Sequence, residues 1–505
     1  MGTVAAATVA LAVLAAAGAV PTVVLTGFRW TAVPAAPLAG AVLAALAATG
    51  CLAVGGAVLP WFVALAAIAW VGTATAWWFR RPTRRARSAL AQLSGSSGSS
   101  GGTAGLAGLV VVAGATAWWL LALRAPTVGF DARAIWFLHA DWFAGGHRVA
   151  LAALRNPALP YAHQTYPPLV GGSVAVSWLV TGDHGYRLGQ VMVALLNGCA
   201  LATAALAVVE VGVRSGRANI GWRAWCPAGV AVVVAGALVL ATAGVTGIFA
   251  TNGLADLLWS SAAVGAVGFG LVLTGRGHDL GMAALLVAVA GLTKDEGIPL
   301  GMAVVVLMTL RSAWPFRSDL RRLWRPLAAG ASGVLALGGW PALVDLLGPP
   351  PAFPGSGSPE GVWFRVEQTY DGMAGHLHVV LLALVVSALG WVFLRRGRRS
   401  AGLGNDGWGW AAMAAGIGAV AVTYVTGTLE IRFWLLTSVN RTIFFPAILA
   451  WWIVGIWAVV ASGHLVAPPA VPIPPEPAEP LPLEPLPLEP EPLDGGPALV
   501  LHNEP

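Results

Sequence analysis

LGMAALLVAVAGLTKDEGIPLGMAVVVLMTL, residues 280–310, decides the fold. Its apolar residues run on without strand-like alternation, and its charges fall together at Lys294, Asp295 and Glu296. As one helix it would extend about 46 Å at ~1.5 Å per residue, well beyond the ~30 Å of hydrocarbon in a bilayer. Two shorter helices joined at the three charged residues satisfy the length. The stretch therefore reads as a membrane hairpin with its charges at the turn.

The same kind of run recurs along the chain from Val4 to Ala461. Hydrophobic residues make up 57% of the 505 positions and charged residues only 10%, with a mean hydropathy of +0.76. A soluble domain carries about a quarter charged residues, so too little polar material is present to cover a water-facing globule. Apolar runs of ~20 residues are too long for barrel strands. The expected fold is an all-α, polytopic transmembrane helical bundle of thirteen spans, near 4–26, 37–58, 59–78, 104–123, 187–211, 227–249, 252–274, 280–293, 297–311, 326–347, 376–394, 408–428 and 442–464. Met1 to Leu25 lacks the basic start of a signal peptide and is read as a span.

The net charge of +6 is not a nucleic-acid signature. Arginines gather in short clusters between apolar runs, as the positive-inside rule expects on the cytoplasmic face. Arg80, Arg81, Arg84, Arg85 and Arg87, then Arg214, Arg217 and Arg223, then Arg276, then Arg311 to Arg325, then Arg395 to Arg399 all fall on that side of a thirteen-span alternation. The opposite side receives 124–186, the turn at Asn252, the Lys294 turn, 348–375 and 429–441. Residues 168–181 are apolar but short for a span. Counting them as a crossing would invert everything downstream, so they read as a juxtamembrane helix against the outer face.

Three regions follow: 1–103, with three spans and a cytoplasmic Arg/Ser/Gly loop; 104–464, the main transmembrane module; and 465–505. The last repeats Pro-Glu-Pro-Leu units, which favour extended polyproline conformation, and is expected to be a disordered cytoplasmic tail. Cys51, Cys199 and Cys226 show no metal or redox spacing.

Charges are costly near a membrane, so those that persist there are candidates for function. Asp131, with Arg133 beside it, reads as a general base or as a helix N-cap. His139 and Asp141 are explained by interfacial solvation, His163 and Gln164 by an exposed loop. Tyr166-Pro167-Pro168-Leu169 is a turn that starts a helix. Asp256, about one turn into a span, needs a partner or a wet cavity. Lys294, the only lysine of the chain, offers a point charge to phosphate; with Asp295 and Glu296 it reads alternatively as a self-neutralised, solvated turn. Arg441, at the entrance to the last span, fits a lipid phosphate through its guanidinium fork or an interfacial anchor.

Taken in order, these features resemble the GT-C membrane glycosyltransferases, above all the protein O-mannosyltransferase and lipid A aminoarabinose transferase branch. The resemblance runs from about Ala104 to Ala461. It rests on Asp131 after a span, on Pro167, Pro168 and Leu169, on Gly182, Asp183 and Arg187, on Asp256, on Leu292, Thr293 and Lys294, and on Arg441 before Pro446. It implies an inverting enzyme that moves a sugar from a polyprenyl-phosphate donor to a glycan, lipid or protein acceptor at the outer face of a bacterial plasma membrane. Asp131 would be the catalytic base, and Lys294 and Arg441 would contact the donor phosphate. Arg133, Tyr166, Asp256, Asp295 and Glu296 would line the site. Some relatives use a divalent cation, but no convincing metal-ligand set stands out here. The alternative from another class is a secondary transporter with Asp256, Lys294, Asp295 and Glu296 as its coupling site.

Overall fold

The computed structural model describes residues 2–26, 29–79, 100–123, 127–216, 225–273, 277–349, 360–394, 407–427 and 429–466. The Arg/Ser/Gly loop, the arginines of 395–399 and the Pro/Glu tail lie outside the described residues. Helices α1 (Thr3–Thr26), α2 (Ala32–Val54), α3 (Val58–Phe79) and α4 (Ser100–Leu123) come first. A π-helical turn, Ala132–Phe137, then leads into α5 (Leu138–Ala144) and α6 (His147–Leu154). Next come α7 (Leu169–Thr181), α8 (Tyr186–Gly216), α9 (Trp225–Thr246), α10 (Asp256–Val267), α11 (Gly277–Thr293), α12 (Gly297–Ala313) and α13 (Leu320–Leu347). The chain closes with α14 (Val362–Ala374), α15 (His378–Phe393), α16 (Gly407–Thr426), α17 (Ile431–Thr442) and α18 (Phe444–Val466). No strand element forms among the described residues.

Among the described residues ten helices are long and apolar enough to cross a membrane, or eleven when α14 and α15, bent by 69° at their junction, count as one. The chain is thus an all-helical, multi-pass membrane protein. Thirteen spans would require α10 with its π-helical extension, Asp256–Val272, and α11, both shorter than the others. The shortfall has a local cause. Residues 247–255 do not continue a helix; they form a 3-10 turn and a loop that is pinned from α8. Asn197 donates its amide to the Ala250 carbonyl at 2.8 Å, and Gln190 donates to that of Thr251 at 3.0 Å.

Small residues let the first helices meet backbone to backbone. A methyl group on Gly18 would lie 2.1 Å from the Ala36 carbonyl oxygen, and one on Gly40 would lie 2.0 Å from that of Leu14. Such contacts give helix pairs their association within lipid, where burial of apolar surface contributes little. The hairpin of residues 280–310 forms as α11 and α12. It closes tightly: a methyl on Gly297 would meet the Ala290 carbonyl oxygen at 2.0 Å.

Residues 168–181 form α7, which is too short to count among the spans; Leu169 to Trp178 are all buried, and the helix packs against α1, α2, α5 and α8. Its glycines and serines carry no charge that must reach water, which is why so short a helix is accommodated inside the bundle.

The described segments that the arginine count assigns to one face meet at one end. His147 on α6 reaches the α2–α3 turn, with its backbone N–H 3.0 Å from the Gly56 carbonyl oxygen. Arg155 donates to Leu347 at the end of α13 at 2.8 Å, and Gly129 donates to Asn252 at 2.8 Å. At the other end Asp279, 1% exposed, takes hydrogen bonds from Arg29 and Arg214 at 2.8 Å each. Arg214 also meets Glu210 at 2.9 Å.

Candidate active site

Asp131, Asp256, Lys294, Glu296 and Arg441, far apart in sequence, form one chain of ion pairs. Lys294 Nζ lies 2.8 Å from Asp256 Oδ1 and 3.0 Å from Glu296 Oε1. Arg441 Nη1 lies 2.5 Å from Asp131 Oδ2 and 3.7 Å from Asp256 Oδ2. Each charge is delivered by a different local device. The loop that ends α9 sets Asp256 in the first turn of α10, and the tight hairpin sets Lys294 and Glu296. Arg441 falls in the last turn of α17, where a cation favours the exposed carbonyls.

Asp131 and Lys294 both take partners across the bundle. The Asp131 side chain makes no capping hydrogen bond; it accepts from Arg441 instead. Lys294 is 7% exposed and is paired with Asp256 across the bundle as well as with Glu296 in its own turn. Burial works against its charge, but Asp256 and then Glu296 outweigh it and raise the ammonium well above its ordinary value. Asp295 sits apart from the ion pairs, with Thr165 Oγ1 donating to it at 3.4 Å. Burial, with the Glu296 charge adding to it, pushes its carboxyl up to about 7.

Tyr166 closes one wall. Its ring stacks between Trp136, with centroids 5.3 Å apart, and His163, at 4.6 Å, and Lys294 Nζ stands 6.0 Å from its centre. Trp340 fixes the neighbouring backbone, donating to the Thr165 carbonyl at 2.7 Å. Arg133, expected to line the site, is exposed and joins none of these pairs. One residue along the helix from buried Ala132, it is carried round to the outside.

Residues read as solvated loop are part of the framework. Gln164 is buried and donates to the Ala153 and Asn156 carbonyls at 3.0 and 2.8 Å. His163 adopts a left-handed backbone, φ +46°, uncommon for a residue other than glycine and often found at functional sites. Asp141 accepts from the Tyr186 hydroxyl at 3.0 Å.

His139 is 2% exposed, with Nε2 2.8 Å from the Ala162 carbonyl oxygen. Burial lowers its pKa to about 4. A folded-state value below the unfolded one gives stability that is present above about 6.5 and is lost as pH falls towards 4. Acidification from pH 7 to 5 is expected to remove about 2 kcal/mol through this residue. Thermal unfolding of wild type and His139→Gln at both pH values checks it: the acid-induced drop should shrink in the variant.

A narrow cleft, with a free volume of about 30 Å³, opens beside Glu296. Glu296 lies on its wall with Trp259, Leu300, Val420, Tyr424 and Phe445. Buried Arg365 on α14 holds that wall, donating to the Val425 and Leu429 carbonyls at 3.0 and 2.8 Å and to Glu360 at 2.8 Å. The Tyr424 hydroxyl bonds Ser438 at 2.7 Å and Thr442 at 3.0 Å. Among the described residues no group of three or more His, Cys, Asp or Glu is arranged to hold a metal ion. Trp136, Asn197, Gln190, Trp259 and Tyr424 were not singled out from sequence. Asn197 and Gln190 carried a usable signal, as amides inside an apolar run.

The chain matches no protein-family model, and comparison with curated proteins and with solved structures gives no match.

Proposed function

We propose that the protein is an inverting, lipid-linked glycosyltransferase of the plasma membrane, with its site on the outer side. One observation carries this reading. Three carboxylates and two cations, from four separate segments, converge beside a narrow, largely apolar cleft at one end of the bundle. That combination suits an amphiphile with a phosphate head. The outer side is inferred from the sequence positions of the arginine clusters, which the positive-inside rule assigns to the cytoplasmic face.

In this mechanism the acceptor hydroxyl gives its proton to Asp131, whose Oδ2 is held by Arg441 and whose Oδ1 is available. The acceptor oxygen bonds to the anomeric carbon from the face opposite the phosphate. The bond from that carbon to the phosphate oxygen breaks, and its electron pair leaves with the polyprenyl phosphate. Lys294 and Arg441 stabilise the departing charge. Arg441 Nε is buried and has no partner within the protein, so it can donate to a phosphate oxygen without giving up Asp131. Asp256 and Glu296 hold Lys294 in place, and Tyr166 forms the wall behind it.

Retention of polyprenyl-phosphate mannose or arabinose by purified protein in nanodiscs tests the donor assignment. Binding should tighten below pH 7, where Asp295 is protonated and its charge no longer opposes phosphate. A change of about fivefold between pH 6 and 8 is expected, from ~1 kcal/mol of screened repulsion. Asp295→Asn should bind at both pH values as wild type does at pH 6.

The second reading, a proton-coupled carrier, is favoured by the same raised Asp295 beside a buried Lys–Asp pair. It requires solute movement that stops in Asp295→Asn, with no chemical change in the lipid.

A further inference from the structure

Helix α14 turns polar side chains inward and aromatic ones outward. Arg365, Thr369 and Met373 are its buried residues, and Arg365 is bonded to the Val425 and Leu429 carbonyls and to Glu360. Away from Arg365 the helix presents Trp363, Val366 and Tyr370, which at ~100° per residue fall within an arc of about 60°. They are 84%, 38% and 72% exposed. Glu367 and Asp371, both exposed, border that arc on one side. A helix on a water-facing surface has the reverse arrangement, with its apolar stripe against the core. Single exposed apolar residues are ordinary, but a tryptophan and a tyrosine sharing one face mark a contact surface.

The position of α14 decides what that surface meets. Its 13 residues extend only about 20 Å, too little to cross the hydrocarbon. The helix is bent 69° from α15, so with α15 along the membrane normal it runs about 20° from the membrane plane. It packs against α16 and α17, and Arg432 of α17 donates to Gln368 at 3.2 Å. Helix α17 ends at Arg441 and Thr442, so α14 lies at the end of the bundle that holds the ion pairs. Three residues further on begins α15, whose exposed Leu381, Leu384 and Leu389 face lipid.

We infer that α14 lies in the bilayer interface, with Trp363, Val366 and Tyr370 seated among the headgroups and upper acyl chains and with Glu367 and Asp371 turned to water. Tryptophan and tyrosine suit this layer, since each joins an apolar ring to a polar tip. The exposed charges of α14 are acidic, so the seat is held by apolar contact and does not need anionic lipid. The partner is the phospholipid surface itself. Because α14 packs against the helix that carries Arg441, the seat sets the level of that guanidinium against the headgroup layer. It requires only that the chain spans a bilayer, and stands for transferase and carrier alike.

Photocrosslinking of the full chain in phosphatidylcholine nanodiscs tests this. Benzoylphenylalanine would replace Trp363, Tyr370, Glu367 and Asp371 one at a time, all exposed positions where it disturbs no packing. Phospholipid adducts, read by mass spectrometry, should be several-fold more frequent from 363 and 370 than from 367 and 371. They should not increase when phosphatidylglycerol is added. Equal adduct formation from all four positions, or none from 363 and 370, overturns the inference. So do crosslinks from 363 and 370 to a second copy of the chain, which would make this face a dimer contact. Adducts that form only with phosphatidylglycerol overturn it as well.

Discussion

Lys294→Met is expected to abolish activity and to lower stability by about 3–5 kcal/mol, the usual loss when one side of a buried ion pair is removed. Asp256, 2% exposed, would keep only its hydrogen bond from within the protein framework and the Arg441 guanidinium at 3.7 Å. Glu296 would lose the partner of its Oε1. The penalty arises from the stranded carboxylates, not from the missing attraction. It follows that Lys294→Met combined with Asp256→Leu should recover much of the stability while remaining inactive. Thermal unfolding of the purified variants in detergent measures this. A single variant as stable as wild type would mean that Asp256 reaches water and that the cluster is not sealed in the way the geometry requires.

Asp131→Asn should leave the fold and donor binding nearly unchanged and reduce sugar transfer by roughly 10²–10⁴-fold, the range for loss of a general base. The amide oxygen still accepts from Arg441, so the shape of the site is retained. What is lost is the ability to take a proton. Single-turnover transfer and donor affinity, measured side by side, separate the two effects. Transfer within a few-fold of wild type would assign the base elsewhere and leave Asp131 as a positioning group for Arg441. A matching collapse of donor affinity would give it a binding role.

The membrane class was legible from sequence because hydrocarbon thickness translates directly into run length. The same rule leaves α10 and α11 at the margin, since each is shorter than the ten clear spans. Helix α7 is short and buried along its length, and α10 starts late because residues 247–255 are spent on the loop that presents Asp256.

The charged residues of the site stood out because each is an exception in an apolar context. Their pairing did not, since Lys294 with Asp256 and Arg441 with Asp131 are contacts between distant segments that no local pattern encodes. Local reasoning failed for Gln164 and His139. Both were taken for surface residues because their partners are backbone carbonyls, which a sequence does not display.

The most direct test of the central claim follows the fate of the sugar itself. Wild type and Asp131→Asn, each reconstituted in vesicles, would be given radiolabelled polyprenyl-phosphate mannose and, separately, polyprenyl-phosphate arabinose. The account predicts that with wild type the label leaves one of these lipids, as transferred or hydrolysed sugar, and that with Asp131→Asn it stays. Label that remains on both lipids with wild type, while the vesicles take up solute with protons, would contradict it and identify a carrier.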